Sequence, residues 1–203
     1  MQNRFDNPGR TRWRRFAALM VPATAVAGTI VFGMSNGAIA ASFAVSGETF
    51  KVSASELNGE GFVQYGRIAE EADGTKHPVA VSGIRNARLH NLCQSVKPKG
   101  TPVVLTIRAG GGGTPVRASD LLIDMDSLEG DAEFKNINIG QDAATLDAGP
   151  KGAVGEKKSF GQQSDTVTIK NLRQVARSTH AGTFTLTGLK LKVSVGADAK
   201  ECF

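Results

Sequence analysis

From Ala41 onward no stretch of this chain keeps apolar residues at the 3.6-residue spacing of a helix, whereas apolar residues recur at every second position. The clearest run is Leu189, Leu191, Val193 and Val195, with Lys190, Lys192 and Ser194 between them. It predicts a strand with one buried and one wet face. Shorter versions occur at Phe43/Val45, Phe50/Val52, Val79/Val81, Leu105/Ile107, Leu121/Ile123/Met125, Val167/Ile169 and Phe184/Leu186, each followed by Gly, Asn or Ser. Segments punctuated in this way predict an all-β domain: a single sandwich, or a curved open sheet or partial barrel, of short antiparallel strands.

A second pattern is superimposed on the alternation. An apolar residue, any residue, a small or amide residue, then Leu or Ile occurs at Val81 to Ile84, Leu89 to Leu92, Met125 to Leu128, Phe134 to Ile137, Ile169 to Leu172 and Leu186 to Leu189. Apolar residues three apart have opposite parity on a strand, so the buried face has to switch there. Either a bulge bends the strand or a two-residue turn reverses it. Gly140 to Asp165 has neither period and reads as a long exposed loop.

The 203 residues suffice for one domain with a real core. Their net charge of +5 would invite a nucleic-acid reading if it were spread along the chain. It is not: Arg4, Arg10, Arg12, Arg14 and Arg15, against Asp6 alone, precede the first long apolar run. Beyond residue 40 the balance is 24 − 5 basic against 19 − 1 acidic residues, a net of +1. A near-neutral body lacks the electrostatic footprint of a nucleic-acid binder. The leader has the plan of a secretory signal peptide: basic Arg10 to Arg15, apolar Phe16 to Met34, and the small-x-small motif Ala38-Ile39-Ala40. Cleavage between Ala40 and Ala41 is expected. The alternative is an uncleaved anchor over residues 16–34, although Pro22, Gly28 and Gly33 weaken such a helix. Arg14-Arg15 lacks the polar context of a twin-arginine signal, so the general secretory route is expected. The organisation is therefore a signal helix at 1–40 and an exported β domain at 41–203, placed in the cell envelope or secreted.

Two cysteines, Cys93 and Cys202, fall in the exported part, and an even count in an oxidising compartment predicts one disulfide. With no C-x-x-C pair there is no support for a redox or zinc motif.

Other candidate chemistry is weak. Gly110 to Gly113 follows a strand, but no Lys-Ser/Thr pair or helical pattern follows it, so it reads as a hairpin tip rather than a phosphate loop. Asp120, Asp124, Asp126, Glu129, Asp131 and Glu133 are ligand types that suit calcium, without EF-hand spacing. A solvated strand face is the simpler expectation. His77, His90 and His180 are isolated, and neither G-x-S-x-G nor S-x-x-K occurs. No catalytic, cofactor or metal residue is assigned.

Several phrases together carry a resemblance: Thr11-Arg12-Trp13-Arg14-Arg15-Phe16, Ala41-Ser42-Phe43, Gly61-Phe62-Val63-Gln64-Tyr65-Gly66, His77-Pro78-Val79-Ala80-Val81, Leu92-Cys93-Gln94-Ser95, the Gly110 to Gly113 run, Ala181-Gly182-Thr183-Phe184 and Glu201-Cys202-Phe203. The chain resembles a family of secreted actinomycete proteins of unknown function whose members often carry the label "cholesterol esterase". The resemblance implies export and Cys93–Cys202 pairing, and offers a small multi-pass membrane protein as partner. The esterase label has no nucleophile motif here to receive it. The expected function is thus a non-enzymatic envelope protein that binds a lipid or other apolar ligand, or an envelope partner. A secreted lipid-ester hydrolase is the second reading and a calcium-dependent surface module the third.

Overall fold

The computed structural model describes residues 48–71, 74–196 and 199–203. The expected leader, its Ala40/Ala41 cleavage point and the Phe43/Val45 pair lie outside them. The domain is all-β, one antiparallel sheet of nine strands: β1 Phe50–Glu70, β2 Lys76–His90, β3 Leu92–Val96, β4 Val103–Ala109, β5 Val116–Lys135, β6 Asn138–Asp142, β7 Phe160–His180, β8 Thr183–Thr185 and β9 Lys190–Val195. Four strands are far longer than the sequence punctuation suggested: β1 and β7 have 21 residues each, β5 has 20 and β2 has 15.

The apolar-x-Asn-apolar pattern bends β7 at Asn171 without ending it, and at Asn91 and Asn136 it divides β2 from β3 and β5 from β6 while the chain keeps its neighbour. Asn91, Asn136 and Asn171 all adopt left-handed backbone, φ 53°, 54° and 54°. Asparagine enters that region more readily than other side-chain-bearing residues. Each turns its amide to a side chain on the neighbouring strand: Asn91 Nδ2 donates to Ser55 Oγ at 2.9 Å, Asn136 Nδ2 to Asp165 Oδ2 at 2.6 Å and Asn171 Nδ2 to Asp131 Oδ2 at 2.9 Å. The chain continues along the same neighbour on either side. Glu56↔His90 and Ser53↔Cys93 are partners along β1, and Lys135↔Thr166 and Asn138↔Gln163 are partners along β7. Met125 to Leu128 falls at a bulge between β5 and β7, and Leu186 to Leu189 forms the turn between β8 and β9. Val81 and Ile84 do not switch phase at all; they belong to two different apolar clusters.

Strands β1, β2, β5 and β7 close a ring, because β7 pairs with both β5 and β1. Following partners around it leads from Phe50 to Ala176, Met125, Ala80 and back to β1 at Gly66. The stagger is 66 − 50 = 16 residues over four strands. Such a stagger tilts the strands by roughly 70° from the barrel axis, against about 35–45° in ordinary barrels. Each strand must therefore wrap the core, which explains both its length and its need for kinks. The interior is filled by Phe50, Leu57, Phe62, Ile84, Leu89, Leu121, Met125, Ile169 and Leu172.

A second cluster forms on the outside. Phe62 points inward and its neighbour Val63 outward, where Val63, Tyr65, Val79 and Val81 meet Ala143, Leu146 and Ala153. This corrects the expected exposed loop at 140–165: its ends belong to β6 and β7, and residues 143–159 between them pack down on the barrel wall. Small residues make the close approach. A Cβ on Gly149 would stand 2.5 Å from Val63 Cγ2.

Asp142 ties the segment down by accepting from the Ala144 and Lys158 amides, both at 3.0 Å, and these bonds hold its carboxyl below the ordinary value. A depressed carboxylate contributes stability above its unfolded pKa that is lost as pH falls through the folded one. Hydrogen exchange at Ala144 and Lys158, referenced to the intrinsic rate, should accelerate on acidification through that range. In Asp142→Ala it should be fast at every pH.

Candidate functional site

Beyond the ring the sheet continues as a flap, β3–β4–β9, with β9 at its edge. Phe50, Val96, Leu105 and Val193 are successive partners across it and so share one face, continuous with the barrel interior. Burial fades along that face. Phe50 is buried, Val96 and Leu105 are half-buried, and Leu191, Val193 and Val195 are 59%, 58% and 63% exposed. The strand expected to bury one face therefore does not bury it. The alternation was real, but β9 overhangs the core and none of the described residues covers its apolar side.

The opposite face of the flap is clamped. Cys93 of β3 is bonded to Cys202, with Cα atoms 5.8 Å apart. The two cysteines are not brought together by direct pairing of β3 with β9, since β4 lies between those strands. The chain after β9 crosses β4 instead. Cys202 N donates to Ser95 Oγ at 3.0 Å, Lys51 Nζ reaches Glu201 at 3.2 Å and the Phe203 carbonyl at 2.9 Å, and the Phe203 ring lies against both Lys51 and Arg173. A disulfide of this kind points to an oxidising, extracytoplasmic location. Among the described residues no helix is long and apolar enough to cross a membrane.

Most of the acidic stretch is solvated, with Asp120, Asp126, Glu129, Asp131 and Glu133 exposed, and Asp124 is the exception. Asp124 is only 5% exposed and is held by Arg67 and by Ser178 Oγ at 2.7 Å. Asp126 takes a two-point contact from Arg177 at 2.6 and 3.0 Å, and Arg177 also donates to Glu71, which meets His77 Nε2 at 3.0 Å. Burial pushes the nearby Tyr65 phenol above its ordinary value, with Arg67 pulling it back and Asp124 adding to the rise. Guanidinium groups thus occupy Asp124 Oδ2 and both carboxylate oxygens of Asp126. Ser55, which bonds to His90, donates to its backbone carbonyl rather than to the imidazole.

Gly110 to Gly113 is not a hairpin tip either. Leu92↔Ala109 and Leu89↔Val116 are partners, so β4 and β5 lie end to end along β2 and β3, and residues 110–115 loop out between them. A Cβ on Gly110 would meet Leu89 O at 2.8 Å and Val116 N at 2.9 Å, so glycine is obligatory there.

The match that places this chain spans residues 46–203 and carries the description "Family of unknown function (DUF6230)". The chain belongs to that family. No curated protein and no solved structure matches it. The kinked barrel, the clamped face and the open β9 edge therefore all lie within the DUF6230 region, and any functional reading of this DUF6230 chain rests on its own surface. Sequence reasoning missed that surface because alternation marks the apolar residues of a strand without telling whether anything packs on them.

Proposed function

We propose that this is a non-enzymatic extracytoplasmic binding module whose β9 edge engages an apolar ligand of lipid type at a membrane surface. The observation that carries this reading is the exposed row Leu191, Val193 and Val195 on an edge strand. Contiguous apolar rows of this kind mark interaction sites more often than scattered surface residues do. Burying three half-exposed aliphatic side chains would contribute on the order of 2–4 kcal/mol. Lys190 and Lys192, interleaved with the row, add attraction for an anionic surface at about 1 kcal/mol each. The esterase reading has less support, because no sequence motif pairs a serine with a histidine base and Ser55 donates to the His90 backbone carbonyl rather than to its imidazole.

Flotation with phosphatidylglycerol/phosphatidylcholine vesicles tests the proposal. The protein should co-float, and a Leu191→Ser/Val193→Ser/Val195→Ser variant should stay at the bottom with an unchanged thermal midpoint. Equal flotation of both proteins would overturn the lipid reading. So would failure of the wild type to float on protein-free vesicles, and it would turn attention to a small multi-pass membrane protein as partner.

A further inference from the structure

The looped-out glycines and the start of β9 border a depression of about 380 Å³, lined in part by Asn91, Arg108, Gly111, Gly112, Gly188 and Lys190. We propose that it binds a phosphate group.

Charge is the first argument. Arg108 and Lys190 are direct cross-strand partners, and like charges placed opposite each other destabilise a ladder. Both are exposed, and among the described residues neither has an acidic partner. Among the described residues they are also the only charged side chains lining the depression. Two other depressions differ, since one combines Glu60 with Arg88 and Lys135, and the other, bordered by Gly110 and Gly113 of the same loop, combines Glu56 with Lys170. Of the three, only the one bordered by Gly111 and Gly112 presents a single sign.

The backbone supplies the second argument. Packing requires glycine at 110, but a Cβ at Gly112 or Gly113 would meet nothing within 4 Å, and at Gly111 only Asn91 Oδ1 at 3.8 Å. Gly112 and Gly113 have φ 67° and 87°, whereas Gly111 has no such constraint. Core packing therefore does not explain the run. Its effect is a stretch of main chain with no side chains over it, beside two cations. Bare successive N–H groups and a guanidinium with fixed donor geometry are the two devices by which proteins hold phosphate oxygens.

The position suggests a source. Lys190 projects to the Cys93 side of β9 and its sequence neighbours Leu189 and Leu191, 52% and 59% exposed, to the other, so a phosphate held by Lys190 would lie across the edge strand from the apolar row. A phospholipid would reach both by passing its headgroup over the open β9 edge. The headgroup assignment rests on the lipid reading given above, whereas the phosphate site itself does not.

The test has two arms, each run on the protein and on Arg108→Gln/Lys190→Gln. In the first, inorganic phosphate is titrated while the amide resonances of Gly111 to Gly113 are followed. They should move in the wild type, with affinity at least about tenfold weaker in the variant. In the second, binding to phosphatidylglycerol-containing vesicles is compared with binding to pure phosphatidylcholine. The variant should lose the preference for the anionic lipid and keep the binding that depends on Leu191, Val193 and Val195. Its thermal midpoint should be equal or slightly raised, since a like-charge pair has been removed.

Phosphate shifts without vesicle binding would leave the site standing with free phosphate as ligand and defeat the lipid reading. Vesicle binding through β9 without phosphate shifts, and with an anionic preference that the variant retains, would defeat the site and leave the lipid reading intact. Shifts of equal affinity in both proteins would also overturn the assignment to Arg108 and Lys190.

Discussion

Cys202→Ser should lower the thermal midpoint of the domain by roughly 10–20 °C. The disulfide joins residues 109 apart, and the chain-entropy estimate for so long a loop is about 5 kcal/mol, at about 2–4 °C per kcal/mol for a domain of this size. Cys202 does more than restrain the unfolded chain. It fixes the terminal segment across the flap, where Lys51 bonds to Glu201 and Phe203 and Ser95 accepts from the Cys202 amide. Once released, that segment should become a protease-sensitive tail. Calorimetry of Cys93→Ser, Cys202→Ser and the double variant should give three similar midpoints, because each loses the same bond. A double variant within a degree or two of wild type would refute the account of the clamp.

Gly61→Ala is the second large expectation, argued from a contrast. Gly61 and Gly112 both have left-handed backbone, φ 69° and 67°, so alanine at either pays a conformational penalty of about 1–2 kcal/mol. At Gly112 nothing lies within 4 Å of the added Cβ and the penalty ends there. At Gly61 the Cβ would collide with the Ala148 carbonyl oxygen, which already accepts from Arg85, and would crowd Arg85 Cβ at 3.1 Å. The oxygen belongs to the segment covering the second apolar cluster, so relief means lifting that cover from Val63 and Tyr65. Gly61→Ala should cost about 3 kcal/mol or more and Gly112→Ala about 1 kcal/mol. Denaturant titrations giving the two variants equal midpoints would show that the collision is absorbed elsewhere.

How much of this was readable in the sequence depends on what the residues had to report. Two-residue alternation at Val79/Val81, Leu121/Ile123/Met125 and Val167/Ile169 named strands that exist, because a half-buried strand leaves that imprint wherever it sits. The apolar-x-Asn-apolar pattern correctly marked a change of face, yet bulge and turn share the same local requirement. Only the partner strand decides between them, and at Asn91, Asn136 and Asn171 the partner runs straight through. Ring closure through β1 and β7 left no local trace, since it depends on residues far apart in the chain. The disulfide was readable from cysteine count and compartment, although the crossing of β4 that brings it about was not. The candidate site was least readable of all. Leu191 and Val193 look like core residues in sequence, and Arg108 and Lys190 are far apart until the ladder sets them face to face.

The closure of the ring also bears on time. Its β1–β7 seam joins residues from 161 − 65 = 96 to 176 − 50 = 126 positions apart, and contacts so distant are slow to form, placing such topologies toward milliseconds to seconds. A chain emerging N-terminus first would expose β1 and β2 long before β7 arrives to seal them. During that interval β1 has an unpaired edge bearing residues such as Leu57 and Phe62, which the finished barrel buries. The seam that gives the mature domain its closed core therefore obliges the nascent one to wait, open and adhesive, for its seventh strand.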